Sequence, residues 1–245
     1  MVSFKHFVPV AAIAGIAAAQ NATVRYMPFG DSITEIICWR GLLYQQLQAA
    51  GLTNVNFVGS NNDQNPAGCS VSSYDENNEG HSGFQAVNIA NQNQLVGWLQ
   101  QNPADVISMH LGTNDVVAGR TTSTILAAFT TLVGQMRNSN PNIKIIVAQI
   151  IPISIAQYNT QNVALNAAIP SWAAGLNSTA SPIYVVDQYT GFSATSDLRD
   201  GIHPNAAGDA KMAAKWYPAL VQSINLVNQA REDVQTKKRE VDFVA

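Results

Sequence analysis

The chain has 245 residues, a net charge of −3 and only 12% charged residues. It carries no basic stripe, which argues against a nucleic-acid partner, and no strong field to steer a charged ligand. Asn and Gln together number 41, and a surface rich in neutral amides suits a neutral, hydroxyl-rich ligand such as a sugar.

Residues 1–19 read as a secretory signal peptide. Lys5 and His6 precede an apolar run of thirteen residues, Phe7 to Ala19, that ends in Ala17-Ala18-Ala19. The run is too short to span a bilayer, and no later stretch does better. The expectation is a secreted, extracellular protein with no membrane partner. Two sequons, at Asn21 and Asn177, are candidate glycan sites.

Val24 to Phe29 is a short apolar run that ends at Gly30, and a helical pattern begins near Trp39. Gly30-Asp31-Ser32 therefore falls in a strand-to-helix turn. Ser32 is a candidate nucleophile there; the plain alternative is that Asp31, Ser32 or Thr34 only caps a helix. Trp39 to Ala50 reads as a helix ended by Gly51, and Val55 to Gly59 as a strand. Residues 60–83 lack periodicity and carry Asp63, Asp75, Glu76 and Glu79, and a loop of that length is usually functional. Phe84 to Gln101 reads as one helix, and residues 105–111 as a strand buried on both faces. Gly112-Thr113-Asn114-Asp115 ends that strand. A helix follows over 122–138, then a strand over 143–151 that Pro152 stops. Val163 to Leu176 reads as a helix interrupted by Pro170, and Ile183 to Val186 as a fifth strand. The last helical pattern covers about 205–228, with a kink expected at Pro218. Eight of the last 17 residues are charged, so 229–245 reads as a charged, solvated or disordered tail.

Strands that alternate with helices predict an α/β fold. We expect a doubly wound, flavodoxin-like, five-stranded parallel sheet with helices on both faces, in one domain over 20–228. The two cysteines, Cys38 and Cys69, read as one disulfide in a secreted chain. It would close a loop of about 32 residues, for which the chain-entropy model gives about 3.5–4 kcal/mol. Two buried free thiols are the alternative.

Ligands of an open parallel sheet bind outside the carboxyl ends of the strands. Four small polar clusters fall there: 30–32, 79–83, 112–115 and 200–204. Acyl transfer needs a hydroxyl, a base, a carboxylate that orients the base, and donors aimed at the developing oxyanion. Ser32, His203 and Asp200 can fill the first three roles. The N–H groups of Ser32 and Gly83 and the amide of Asn114 can fill the fourth. His81 is a rival base and Asp197 a rival orienter. His110 lies within a buried strand and reads as a core histidine. The four tryptophans fall in helical patterns and read as core. Arg40 is a candidate substrate contact or a partner for a loop carboxylate.

The ordered set Gly30-Asp31-Ser32, Gly83, Gly112-Thr113-Asn114-Asp115 and Asp200-x-x-His203 resembles the SGNH, or GDSL, hydrolase superfamily. The resemblance implies Ser32 as nucleophile, Gly83 and Asn114 as oxyanion donors, and Asp200 and His203 as orienter and base. Gly80 is the alternative for the second block. Finer stretches are similar to carbohydrate esterase family three: Phe29 to Glu35, Cys38-Trp39-Arg40, Phe57 to Ser60, Asn78 to Gly83, His110 to Asp115, Ala148 to Pro152 and Asp200 to Asn205. That likeness implies an acetylxylan esterase of the fungal type, and a monomer acting on acetylated xylan is the expectation. The same chemistry on another acetylated polysaccharide or a short acyl ester is the alternative, with a non-catalytic sugar-binding protein behind it. The family implies no required cofactor. Some members hold a structural calcium ion, for which carboxylates of the 60–80 loop are candidates. The sequence maps no metal site.

Overall fold

Strand β1 (Val24–Gly30) is the member on which the sheet is built. It is buried between β2 (Val55–Phe57) on one side and β4 (Val106–His110) on the other. Beyond β4 come β5 (Lys144–Gln149) and β6 (Ile183–Asp187), and all pairs are parallel. The order β2-β1-β4-β5-β6 is the flavodoxin-like order for five main strands. The computed structural model describes residues 22–62 and 69–244, with side chains to 242. The signal-peptide segment, Asn21 and Asp63 lie outside the described residues.

A sixth strand, the two-residue β3 (Glu79–Gly80), lies in the stretch expected to be all loop. It pairs with the end of β1. Pro28 falls between the registers Tyr26↔Phe57 and Phe29↔Glu79. Its missing N–H interrupts the ladder where β1 changes partner, so a proline is tolerated inside a central strand.

The helices form two layers. α2 (Trp39–Ala49) packs on α8 (Ala206–Val244), which also crosses β1, β4, β5 and β6. α3 (Ala86–Asn91), α4 (Gln94–Gln101), α6 (Thr122–Ser139) and α7 (Ala156–Leu176) pack on one another, with α7 against β5 and β6. One continuous apolar cluster joins both layers to the sheet, as a sheet with near-continuous apolar strands requires.

Three helical expectations are corrected. The single helix over 84–101 is two, because Asn93 adopts a left-handed conformation (φ 53°) that asparagine tolerates better than other side-chain-bearing residues. α8 does not end near 228. It runs on to Val244, and Arg231 within it donates to the carbonyl of Ala22 and to Asp105. Residues 232–242 beyond that anchor are exposed, so this part of the tail is helical and solvated.

The third correction concerns Pro170, which does not interrupt α7. A proline inside a helix frees the carbonyl four residues earlier, here that of Asn166. Gln149 Nε2 donates to that carbonyl at 2.8 Å. Gln149→Ala should therefore destabilise the fold by about 1–3 kcal/mol, the usual cost of a buried carbonyl left unpaired. In a Pro170→Ala background much of that cost should vanish, since Ala at 170 restores an N–H for the same carbonyl. Urea denaturation of the four chains measures the coupling.

Candidate active site

Asp31 ends β1 and caps a single-turn helix, α1 (Ser32–Glu35), by accepting the Ile33 N–H at 2.9 Å. The capping role considered for this stretch thus belongs to Asp31. Ser32 is the first helical residue, and its N–H has no intrahelical acceptor. Among the described residues no other group accepts it. Ser32 is 9% exposed. Behind it, the Trp39 indole donates to the Ile33 carbonyl at 2.7 Å, and Asp209 of α8 accepts the Trp39 N–H at 3.2 Å. The Cys38–Cys69 disulfide is formed at the same place.

The second arm is the turn before α8. Asp200 Oδ1 accepts the N–H groups of Ile202 (3.0 Å) and His203 (2.8 Å). Its Oδ2 lies 2.7 Å from His203 Nδ1, and His203 Nε2 lies 2.8 Å from Ser32 Oγ. A carboxylate at Nδ1 selects the tautomer with the proton there, which leaves Nε2 as an acceptor facing the hydroxyl. Burial pushes the Asp200 carboxyl upward, but the His203 N–H, the ring N–H and the Ile202 N–H outweigh it and hold Asp200 below its ordinary value. Asp197 is no rival orienter: it accepts from Ser193 N–H (2.6 Å) and Lys211 Nζ (2.7 Å).

The third arm is the turn 81–84, closed by Phe84 N–H on the His81 carbonyl at 3.1 Å. Gly83 has φ +80°, as the third residue of a type II turn requires. The reason for glycine is this dihedral rather than close packing, since a Cβ there would meet nothing within 4 Å. The Gly83 N–H has no acceptor among the described residues. The Gly80 N–H donates to Asn78 Oδ1 at 2.9 Å. Of the two glycines, only Gly83 has a donor open to a ligand.

Asn114 follows β4, in the short helix α5 (Thr113–Val117). Its amide donates to the Phe84 carbonyl at 3.0 Å and makes a long 3.4 Å contact with Asp31 Oδ2. The first bond ties Asn114 to the Gly83 turn. The second leaves a hydrogen beside Asp31 that a better acceptor can take. Asp115 caps α3 from a distance, accepting Ala86 N–H (2.8 Å) and Val87 N–H (3.1 Å), and not the segment that comes after it.

Arg40 is not exposed to a ligand. It is fully buried, and its guanidinium donates to the carbonyls of Thr34 (2.7 Å), Glu35 (2.9 Å) and Glu76 (2.7 Å). A rigid five-donor fork suits that structural task. The ring nitrogen Nε2 of His81 pairs with Glu79 Oε1 at 2.7 Å and its ring stacks on Trp98 with centroids 4.1 Å apart, whereas Ser32 Oγ meets His203. His110 is a core residue, and burial pushes its pKa down to about 3. Trp39 and Trp216 are core, whereas Trp98 and Trp172 are only partly buried.

Among the described loop carboxylates, Asp75 and Glu79 are engaged by protein donors. Asp75 accepts from Phe57 N–H (2.7 Å) and from Asn77, and Glu79 accepts from Ser60 and His81. Among the described residues no group of three His, Cys, Asp or Glu side chains is placed to hold a metal ion.

Two site-forming residues escaped the sequence reading. Glu35 accepts the Ser82 N–H at 2.6 Å, and Asp209 anchors the start of α2. Glu35 sits three residues past Ser32, a visible proximity, but its partner is 47 positions away.

A family model described as GDSL-like lipase/acylhydrolase matches residues 29–211. The chain is 40% identical to an acetyl esterase solved as a serine-to-alanine mutant with an acetate ion. That comparison has a TM-score of 0.79 and covers 84% of this chain and 100% of the other. It is also 40% identical to a carbohydrate esterase family 3 protein from Talaromyces cellulolyticus, with a TM-score of 0.78 and coverage of 83% and 99%. A multidomain esterase of Ruminococcus flavefaciens is 29% identical over 228 residues. The match takes in 81% of this chain and spans only 28% of that protein.

Burial raises the Asp31 carboxyl from 3.8 to about 7 against the pull of Ile33 N–H, and the neighbouring Asp115 adds to the rise. The folded state thus keeps a proton that the unfolded chain releases above its ordinary value. Asp31 contributes stability that is full below pH about 4 and is lost as pH rises through about 7. Asp209, raised to about 6, acts with the same sign. Melting temperatures measured from pH 4 to 7 should fall with rising pH, and Asp31→Asn should flatten that fall, leaving the parts that Asp115 and Asp209 contribute.

Proposed function

This chain belongs to the GDSL-like lipase/acylhydrolase family and, within it, to carbohydrate esterase family 3, and from that membership we propose that it is a secreted serine esterase releasing acetate from acetylated xylan. The observation that carries the reading is the continuous chain Ser32 Oγ–His203 Nε2 (2.8 Å) and His203 Nδ1–Asp200 (2.7 Å) beside open N–H donors. Ser32 attacks the acetyl carbonyl while His203 takes its proton. The Ser32 and Gly83 N–H groups, with the Asn114 amide, stabilise the oxyanion. His203 then protonates the departing sugar oxygen, which leaves as a hydroxyl. Water, deprotonated by the same imidazole, attacks the acetyl-serine, acetate leaves and Ser32 regains its proton. No step in this cycle uses a metal ion.

The substrate assignment draws on the neutral, amide-rich composition and on the likeness to carbohydrate esterases. Secretion draws on the apolar N-terminal run and on the disulfide, which persists in oxidising compartments. Among the described residues no helix is long and apolar enough to cross a membrane. The enzyme acts as a monomer in this reading, and the exposed Asn177 is open to glycan.

Ser32→Ala should abolish acetate release without lowering the melting temperature. Asn114→Ala should lower kcat by about 10²–10³, the usual cost of one oxyanion donor; an unchanged rate would remove Asn114 from the reaction. Acetate release should be faster from acetylated xylan than from acetylated pectin or acetylated chitooligosaccharides at matched acetyl content. A reversed order would keep the chemistry and replace the substrate.

A further inference from the structure

We propose that Glu35 is a positioning residue that ties the Gly83 turn to the helix carrying the nucleophile. The inference rests on the esterase reading given under the proposed function. Its starting point is that the turn 81–84 is held at both ends but not at its tip. At one end the His81 N–H donates to the Gly30 carbonyl at 3.0 Å, in register with β1. At the other the Phe84 carbonyl accepts from Asn114 at 3.0 Å. Ser82 and Gly83 between them are exposed. Their single side-chain anchor among the described residues is Glu35 Oε2, which accepts the Ser82 N–H at 2.6 Å.

That anchor bears on the chemistry because of the turn type. A type II turn becomes type I by rotation of its central peptide unit. Here that unit joins Ser82 to Gly83 and carries the Gly83 N–H. Glu35 grips the peptide unit immediately before it. A carboxylate accepting a backbone N–H is among the stronger hydrogen bonds available to a partly exposed loop.

Glu35 is itself firmly seated. Its carbonyl accepts from the buried Arg40 at 2.9 Å. Its backbone lies so close to Gly80 that a Cβ on residue 80 would fall 2.5 Å from the Glu35 nitrogen. The close approach accounts for glycine at 80, whose N–H is already taken by Asn78. The Ser32 N–H and the Gly83 N–H are therefore held in one unit: Ser32 starts α1, Glu35 ends it, and the side chain of Glu35 holds the turn.

The test compares Glu35→Ala and Glu35→Gln with the parent enzyme on 4-nitrophenyl acetate, with Ser32→Ala alongside. Glu35→Ala should lower kcat about tenfold or more while KM stays within about twofold, since an oxyanion donor acts on the transition state. Inhibition by a short alkylboronic acid, whose tetrahedral adduct on Ser32 uses the same donors, should weaken by a similar factor. Glu35→Gln keeps an acceptor oxygen and should recover most of the rate. A Glu35→Ala enzyme with unchanged kcat, or with only KM raised, would overturn the proposal. So would a Glu35→Gln enzyme as slow as Glu35→Ala. If Ser32→Ala stays active, the esterase reading itself has failed; if it is inactive while Glu35→Ala behaves as the parent, only the role of Glu35 falls.

Discussion

The site depends on one constraint of the parallel sheet: β1 and β4 are adjacent, and both end at the same rim. Their registered pairing carries Gly30 to a position beside His110, so the chain must leave the sheet at Asp31 and at Leu111 side by side. Consecutive main strands here diverge to opposite halves of the sheet, β2 on one side and β5 on the other. The crevice left at this switch point receives Ser32 from β1 and Asn114 from β4. Short helices start at once on both sides, and their first N–H groups have no internal acceptor. The same geometry that closes the strands thus supplies unpaired donors beside a hydroxyl.

A chain with few charges uses several of them in the interior as cross-links. Asp31, Asp115 and Asp209 are all buried, and each accepts N–H groups at the start of a helix. Asp115 belongs to the segment after β4 but caps α3. Asp209 belongs to α8 but holds the first turn of α2. These two long-range caps tie the segment after β4 to α3 and α8 to α2. Burial raises all three carboxyl groups. Asp200, more open and bound by three donors of its own turn, moves the other way. The carboxylate that orients His203 in the proposed cycle is therefore the one whose surroundings favour charge.

The features legible in the sequence are those that local pattern determines. β1 and β4 were visible because strands covered on both faces are continuous apolar runs. Asp200 and His203 were visible because three residues separate them on one turn. The parallel sheet with helices on both faces came from the alternation of strands and helices. Two of the failures share a cause: a distant group replaced the local rule. Pro170 breaks a helix by propensity, yet Gln149 takes the freed carbonyl of Asn166 from the neighbouring strand. Arg40 looks like a surface cation, yet three carbonyls from two segments enclose it. Gly80 and Gly83 are alike in sequence, and only Asn78 on the one N–H and the turn dihedral at the other separate them.

The three residues Cys38 to Arg40 show why Ser32, the proposed nucleophile, can sit on so short a helix. A single turn has little stability of its own, because helix nucleation costs more than one turn of hydrogen bonds returns. α1 is held instead by the segment C-terminal to it. Cys38 is joined to Cys69, the Trp39 indole closes on Ile33, and Arg40 closes on Thr34 and Glu35. Every residue of α1 after Ser32 therefore has its carbonyl bound by a side chain of this anchor, and the Ser32 carbonyl accepts the Ile36 N–H at 3.1 Å. The amide side of the turn faces the opposite way, toward the crevice. Fixing the carbonyl ends is sufficient to aim the Ser32 N–H, since one rigid turn orients both. The rim can then carry unpaired donors because the layer beneath it leaves none of α1's carbonyls unpaired.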